Sequence, residues 1–306
     1  MFIRQIHYLL ALSKTGHFGR AAEVCHVSQP ALSTAIQHLE EELGITIVRR
    51  GQRFQGFTIE GERLMQWAQI LAHDWECMRQ EATQCNRQLT GTLRIGAIPT
   101  TLSVVPLLTE PYQRDFPGVS IKLDSLCADD LIRQLDDFEL DVGLTYLEDP
   151  QLKGFRTLPL YRERHVLLAR SPDPRLIKDD LSWTDVAELP LCLLTQNMQN
   201  RRLIDAAFRE AGVIPKVMVE TDSVFALYAY VRTAGLYSVV PHSLLSLFEM
   251  HREVTALTMK PELSREIGLI ARRRQDMPPP LQEAAWNIAQ RLNLQHRFDS
   301  LISMRY

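Results

Sequence analysis

Five cysteines in 306 residues, Cys25, Cys77, Cys85, Cys127 and Cys192, are odd in number, scattered and never in a Cys-x-x-Cys spacing. That pattern suits neither a disulfide framework nor a structural zinc site. No stretch of about 18 apolar residues occurs, because the most apolar windows are short and broken by Pro, Gly or charge, so no membrane span is expected. The opening MFIRQIHYLLALSKTGHF holds one short apolar patch, LLAL, too short and poorly placed for a secretory h-region, so the chain is expected to stay in the cytoplasm. Enzyme signatures are missing as well. There is no Gly-x-Ser-x-Gly elbow, P-loop, His-Glu-x-x-His or Gly-x-Gly-x-x-Gly, and the nine histidines do not cluster at metal-ligand spacing. Neither an enzyme nor a bound cofactor or metal is expected.

A net positive charge is also missing: the formal charge is −3. Field strength is local, however. Between Leu43 and Ile59 stand Arg49, Arg50 and Arg53 with no acid, a segment able to meet phosphate. With 45% apolar and 23% charged residues the chain is globular in composition, and its length calls for two domains with a joining element.

Ile3, Ile6, Leu9 and Leu10 lie on one face of a first helix that Gly16 stops. A short second helix runs from Gly19 to about Cys25, its paired alanines permitting close approach. Then VSQPALSTAIQHLEEELG offers Ser28 as N-cap, Pro30 in the first turn, Ala31, Leu32, Ala35, Ile36 and Leu39 as an apolar stripe, and Gly44 as terminator. Two short helices joined by a tight turn, the second opening with small polar residues, form a helix-turn-helix. Gln29, Ser33, Thr34 and Gln37 would face base edges and phosphates. An ordinary helical hairpin is the alternative, which the next segment disfavours: ITIVRRGQRFQGFTI alternates apolar and polar residues around two glycine turns, as a two-stranded wing with Arg53 near its tip. From Glu62 to Leu89 no Pro or Gly intervenes. Leu64, Leu71, Met78 and Cys85, with Ala68, Trp75, Ala82 and Leu89, keep heptad spacing, the pattern of a dimerising helix. Packing of that helix on its own domain is the alternative.

After Gly91 short apolar runs alternate with helical stretches. Strands are expected at 92–98, 119–123, 140–145, 165–169, 191–194, 217–220, 236–240 and 267–272, and helices at 102–115, 129–137, 200–211, 223–233, 243–249 and 280–293. Together they make an α/β domain with a mainly parallel sheet.

The run GRAAEVCHVSQPALSTAIQHLEEELGITIVRR, followed by Arg53 and the step from Thr58 to Gly61, resembles the LysR-type transcriptional regulators. The family's Ala-Ala, Ser-Gln-Pro, Ser, Leu-Glu, Leu-Gly, Arg, Thr and Gly recur in order. GTLRIGAIPT, DVGLTY and AGLYSVVP look like later landmarks. Val48 and Thr34 depart from the family's common Phe and basic residue, which implies an unusual operator preference. The resemblance implies an α+β multidomain protein: a winged helix-turn-helix over 1–61, a linker and dimerisation helix over 62–90, and an effector-binding domain over 91–306. That domain would resemble periplasmic solute-binding proteins, with lobes at 92–161 plus 267–306 and at 162–266, joined by two crossover strands. It implies contacts to double-stranded operator DNA by Gln29, Pro30, Ser33, Thr34 and Arg53; the helix and wing residues themselves add Ser28, Gln37 and Arg50 as candidates. It further implies a homodimer or homotetramer built on Leu64, Ala68, Leu71, Trp75 and Met78, and RNA polymerase as a partner when activating.

A cleft between lobes would hold a small-molecule effector. Thr100 and Thr101 begin a helix after the first strand, Thr145 ends another strand, and Thr195, Gln196 and Asn197 follow LCLL. Such polar strand ends suit a small organic anion, with Arg201 or Arg202 as charge partner; simple N-capping by each threonine is the alternative. Cys127 and Cys192 raise oxidant sensing, disfavoured because Cys192 lies in the apolar run LPLCLL. A transport binding protein is the remaining rival class, and it has no use for residues 1–60.

Overall fold

The structure is a computed structural model, describing residues 3–51, 54–85, 89–173, 181–246, 254–273 and 278–303. It divides into two compact units, Met1–Leu89 and Thr90–Tyr306.

In the first unit α1 (Ile3–Thr15) buries Ile6, Leu9 and Leu12 at helical spacing. The second helix, α2 (Phe18–Val24), starts earlier than its alanines suggest because His17 Nδ1 accepts from the Gly19 and Arg20 N–H groups at 3.0 and 3.4 Å. Ala21 and Ala22 are buried between neighbouring helices. For α3 (Gln29–Leu43), Ser28 Oγ accepts from Ala31 N at 3.3 Å, and Gly44 ends the helix at φ 69°. The wing is an antiparallel pair, β1 (Val48–Arg50) and β2 (Phe54–Phe57). Phe54 stacks edge-on against both Phe57 and Phe18, which seats the wing on α2. The long helix, α4 (Ile59–Cys85), belongs to this unit. Thr58 Oγ1 accepts from Gly61 N at 2.9 Å while its hydroxyl donates to Thr46 O at 2.6 Å. A Cβ on Gly61 would stand 2.3 Å from Ile47 O, so only glycine lets α4 start against the wing strand.

The second unit begins with β3 (Gly91–Ala97), α5 (Val105–Asp115), β4 (Val119–Ser125), α6 (Ala128–Asp136) and β5 (Val142–Tyr146), with β3 parallel to both β4 and β5. Next comes a 16-residue strand, β6 (Phe155–Arg170). The second lobe comprises β7 (Leu181–Ser182), α7 (Trp183–Ala187), β8 (Leu191–Leu194), α8 (Gln199–Glu210), β9 (Val217–Thr221), α9 (Val224–Ala234), β10 (Ser238–Pro241) and β11 (Val254–Lys260). The chain returns through β12 (Ser264–Arg272) to α10 (Pro280–Arg291) and α11 (Leu294–Ser303).

Sheet order is β4-β3-β5-β12-β6-β11-β7, with β10 also on β6 and β8-β9 as a separate parallel pair. The expectation of a mainly parallel sheet is corrected here. Parallel pairing holds in β4-β3-β5, β7-β11 and β8-β9, but β12 runs antiparallel to β5 and β6, and β10 and β11 run antiparallel to β6. The cause is that β6 is itself a crossover: Phe155–Arg164 pair with β12, and His165–Arg170 pair with β10 and β11. Only its second half is covered on both faces, with Leu167 and Ala169 in one core and Val166 and Leu168 in another. Sequence patterning therefore detects 165–169 and passes over 155–164. It also passes over β7, β11, α7 and α11; of the helix expected at 243–249, residues up to Ser246 belong to a 3-10 turn, His242–Ser246, and 247–249 lie outside the described residues.

Candidate functional site

The nucleic-acid-facing candidates lie on α3. Leu32, Ile36 and Leu39 are buried, and this turns Gln29, Pro30, Thr34 and Gln37 outward, with Ser33 half-buried beside them. Ser28 is exposed and its oxygen caps the helix. Arg49 is exposed on the wing. The side chain of Arg50, and all of Arg53, lie outside the described residues. A residue whose function the pattern does not reveal is Glu40: its Oε1 accepts from Ile47 N at 2.8 Å and Val48 N at 2.9 Å. One carboxylate oxygen thus ties α3 to the wing, which is the physical content of the Leu39-Glu40 landmark.

The five dimerisation candidates separate. Ala68 is 3% exposed in the core of the first unit and Leu64 packs partly against it, so these two face their own domain. For Ala68 this corrects the heptad reading: the N-terminal turns of α4 roof the helix-turn-helix core. Leu71, Trp75 and Met78 remain exposed at 39, 37 and 55%, and Trp67, at 64%, joins them at helical spacing.

In the second unit the lobes meet at a cleft. Its narrow throat, about 10 Å³, is lined by Pro99, Thr100, Cys127, Met198, Gln199 and Asn200 among others, and admits roughly one water-sized group. It adjoins a wider mouth of about 400 Å³ bearing Tyr146, Asp129, Glu148, Asp149, Arg202 and Arg265, with Ala128 and Gln199 common to both. At the throat two helices begin, α6 from one lobe and α8 from the other, and neither first turn is capped by a side chain. Uncapped N–H groups at the positive ends of two helices favour negative charge. Thr100, 2% exposed, packs its hydroxyl against the Tyr146 phenol at the throat.

The other effector candidates lie elsewhere. Arg201 is corrected: its buried guanidinium is held through Nε by Asp205 at 2.8 Å and through Nη1 by Glu220 at 2.7 Å and the Leu194 carbonyl at 2.7 Å. It ties α8 to β8 and β9 and lines neither cavity. Thr101 is fully buried and donates to Ile98 O at 3.0 Å, a local turn bond. Thr145 is buried without lining either cavity. Thr195 donates to Asn197 Oδ1 at 2.7 Å, and with exposed Gln196 and Asn197 it forms a surface loop that lines neither cavity.

Behind the cleft lies a buried polar cluster that sequence reasoning missed. Glu163 on β6 is 0% exposed and accepts from the hydroxyls of Tyr146 at 2.9 Å, Tyr161 at 3.1 Å and Ser243 at 3.3 Å. Burial pushes its carboxyl up to about 7, against the pull of these donors. Asn200 Nδ2 lies 3.2 Å from the Tyr146 hydroxyl and 2.8 Å from His165 Nε2. Burial lowers both His165 and His242 to about 4, so both rings are neutral near pH 7. The available signal was the alternation Tyr161, Glu163, His165, which puts three polar side chains on one face of a strand.

Residues 3–62 match the bacterial regulatory helix-turn-helix protein of the lysR family, and residues 86–292 match the LysR substrate binding domain. The DNA-binding transcriptional dual regulator OxyR of Escherichia coli K12 is 30% identical over 274 residues, covering 89% of this chain and 90% of that one. A hydrogen peroxide-inducible genes activator of Haemophilus influenzae is 32% identical over 206 residues, 67% of this chain and 65% of the relative. Among solved structures, full-length OxyR of Pseudomonas aeruginosa superposes with TM-score 0.75 at 25% identity, covering 96% of this chain and 98% of that one. CbnR complexed with its target DNA superposes with TM-score 0.66 at 20% identity, covering 95 and 99%, a likeness of fold. No described helix is long and apolar enough to cross a membrane. With a winged helix-turn-helix, a long α4 and a two-lobed α/β domain all in place, the chain belongs to the LysR family of DNA-binding transcription regulators.

Proposed function

We propose that this regulator acts in the cytoplasm and responds to a small organic anion bound between the lobes of its second unit. The observation that carries the reading is the convergence of the uncapped starts of α6 and α8 on the throat, beside the buried hydroxyl of Thr100. An anion there neutralises two positive helix ends that belong to different lobes, and so favours their approach. Ser28, Gln29, Pro30, Ser33, Thr34 and Gln37, with the wing arginines Arg50 and Arg53, contact operator DNA. Trp67, Leu71, Trp75 and Met78 form an apolar stripe that suits a homodimer or homotetramer, which presents paired recognition helices to a dyad-symmetric site. RNA polymerase is the further partner at activated promoters.

Five relatives, from Haemophilus influenzae, Escherichia coli, Pectobacterium carotovorum and Dickeya chrysanthemi, are named hydrogen peroxide-inducible genes activators. Thiol chemistry in this chain gives that response little support. Burial raises Cys192 to about 11, and Cys127 is raised by burial, its thiol donating to Asp130 at 3.1 Å. A reactive thiolate needs the opposite surroundings.

The test is footprinting of the full chain on genomic fragments, with and without candidate organic anions. Discrete dyad-symmetric sites whose footprint changes with one anion class are expected. Sequence-independent binding would sink the regulator reading, and footprints indifferent to every anion would sink the effector assignment.

A further inference from the structure

The hydrogen-bond directions inside the cleft settle which atoms face a ligand. The Leu263 carbonyl can only accept, and it lies 3.3 Å from His165 Nδ1, so that nitrogen carries the ring proton. His165 Nε2 is then an acceptor and takes one Asn200 N–H. The second Asn200 N–H goes to the Tyr146 oxygen, whose own proton goes to Glu163. Both amide hydrogens of Asn200 are therefore turned into the cluster, and Oδ1 is the atom it has for the cleft it lines. Gln199 is arranged alike: Nε2 reaches toward Asp149 at 3.5 Å, and Oε1 is buried with no partner.

Two amide carbonyl oxygens thus stand beside two uncapped helix starts and the Thr100 hydroxyl. Acceptors and donors alternate within one small space. A simple carboxylate would satisfy the N–H groups and leave Asn200 Oδ1 and Gln199 Oε1 desolvated without a donor, which is costly. An adjacent ammonium satisfies both. The mouth adds Asp129, Glu148 and Asp149 against Arg202 and Arg265, a surplus of negative charge where an ammonium would sit.

We propose that the effector is an α-amino acid or a close zwitterionic analogue, with its carboxylate at the starts of α6 and α8 and Thr100, and its ammonium on Asn200 Oδ1 and Gln199 Oε1. This rests on the interlobe cleft being the effector site. The throat takes a carboxylate oxygen, the ammonium sits where throat and mouth join at Gln199 and reaches back to Asn200, and the mouth takes the side chain.

The experiment measures binding to the full chain by thermal shift and calorimetry with three matched probe sets. These are the common α-amino acids, the 2-oxo acids with the same side chains, and the amines that lack the carboxylate. At least one amino acid is expected to raise the melting temperature by several degrees, its 2-oxo acid and amine binding tenfold or more weakly, since each loses charge-assisted hydrogen bonds. Gln199→Leu should weaken the amino acid about tenfold and narrow its margin over the 2-oxo acid. If 2-oxo acids bind as tightly as amino acids, the ammonium assignment falls and the organic-anion reading stands. If amines alone bind, or no probe of any set binds, both fall.

Discussion

Replacing Glu163 by glutamine tests whether a carboxyl sealed between the lobes titrates near neutrality. The group moves from 4.5 to about 7 on folding, with burial as the main cause. A raised folded pKa contributes stability that is complete below the unfolded value and is lost as pH rises through the folded one. Between about pH 5 and about pH 8 that loss amounts to roughly 2.5 kcal/mol. His165 and His242 act oppositely, because their lowered pKa values contribute stability above the unfolded value of 6.5 that is lost as pH falls toward 4. Comparing variant with parent at each pH cancels the histidines. Glutamine imitates the protonated acid, its carbonyl accepting from one tyrosine and its amide donating to the remaining hydroxyl oxygens. Melting of the second unit in the full chain, followed across this range, should show Glu163→Gln gaining roughly 5–10 °C on the parent between the acid and alkaline ends. A difference that stays constant with pH would show that no carboxyl titrates there.

Four further outcomes follow from single contacts. Gly61→Ala puts a Cβ 2.3 Å from Ile47 O, a backbone atom with no room to yield, and should lower stability of the first unit by about 2 kcal/mol in thermal melts and weaken operator binding. Glu40→Ala strands the Ile47 and Val48 N–H groups; a loss of about 2 kcal/mol and a reduced operator affinity in gel-shift titrations are expected, and unchanged affinity would mean the wing is held otherwise. Arg201→Met leaves Asp205, Glu220 and the Leu194 carbonyl without their donor and should destabilise the second unit by about 2 kcal/mol in urea melts; a folded variant that loses only effector binding would restore Arg201 to the site. Leu71→Glu places charge in the exposed stripe of α4 and should lower the mass seen by light scattering, whereas an unchanged mass would remove α4 as the oligomer seam.

What sequence alone determines is local. Helix ends are set by caps within a few residues, so Ser28, Pro30 and Gly44 delimit α3, and the 3.6-residue stripe of Leu32, Ile36 and Leu39 decides which polar side chains face outward. The strands LCLL and DVGLTY are legible for the same reason, being apolar runs bounded by turns. Heptad spacing on α4 is also legible, yet periodicity cannot say which surface each position meets, and tertiary packing gave Ala68 to the first unit's own core. Nor can strand periodicity say that one strand pairs in both lobes, so only the second half of β6 is legible. The cleft is the clearest case of what only the tertiary structure decides. Arg201 looks available in sequence until Asp205, Glu220 and the Leu194 carbonyl close around it, while Asn200 and Glu163 acquire meaning only when residues 17 to 80 apart in the chain bring His165, Tyr146 and Ser243 within hydrogen-bond range. Hydrogen-bond directions belong to such assembled networks, and they depend on every partner being in place.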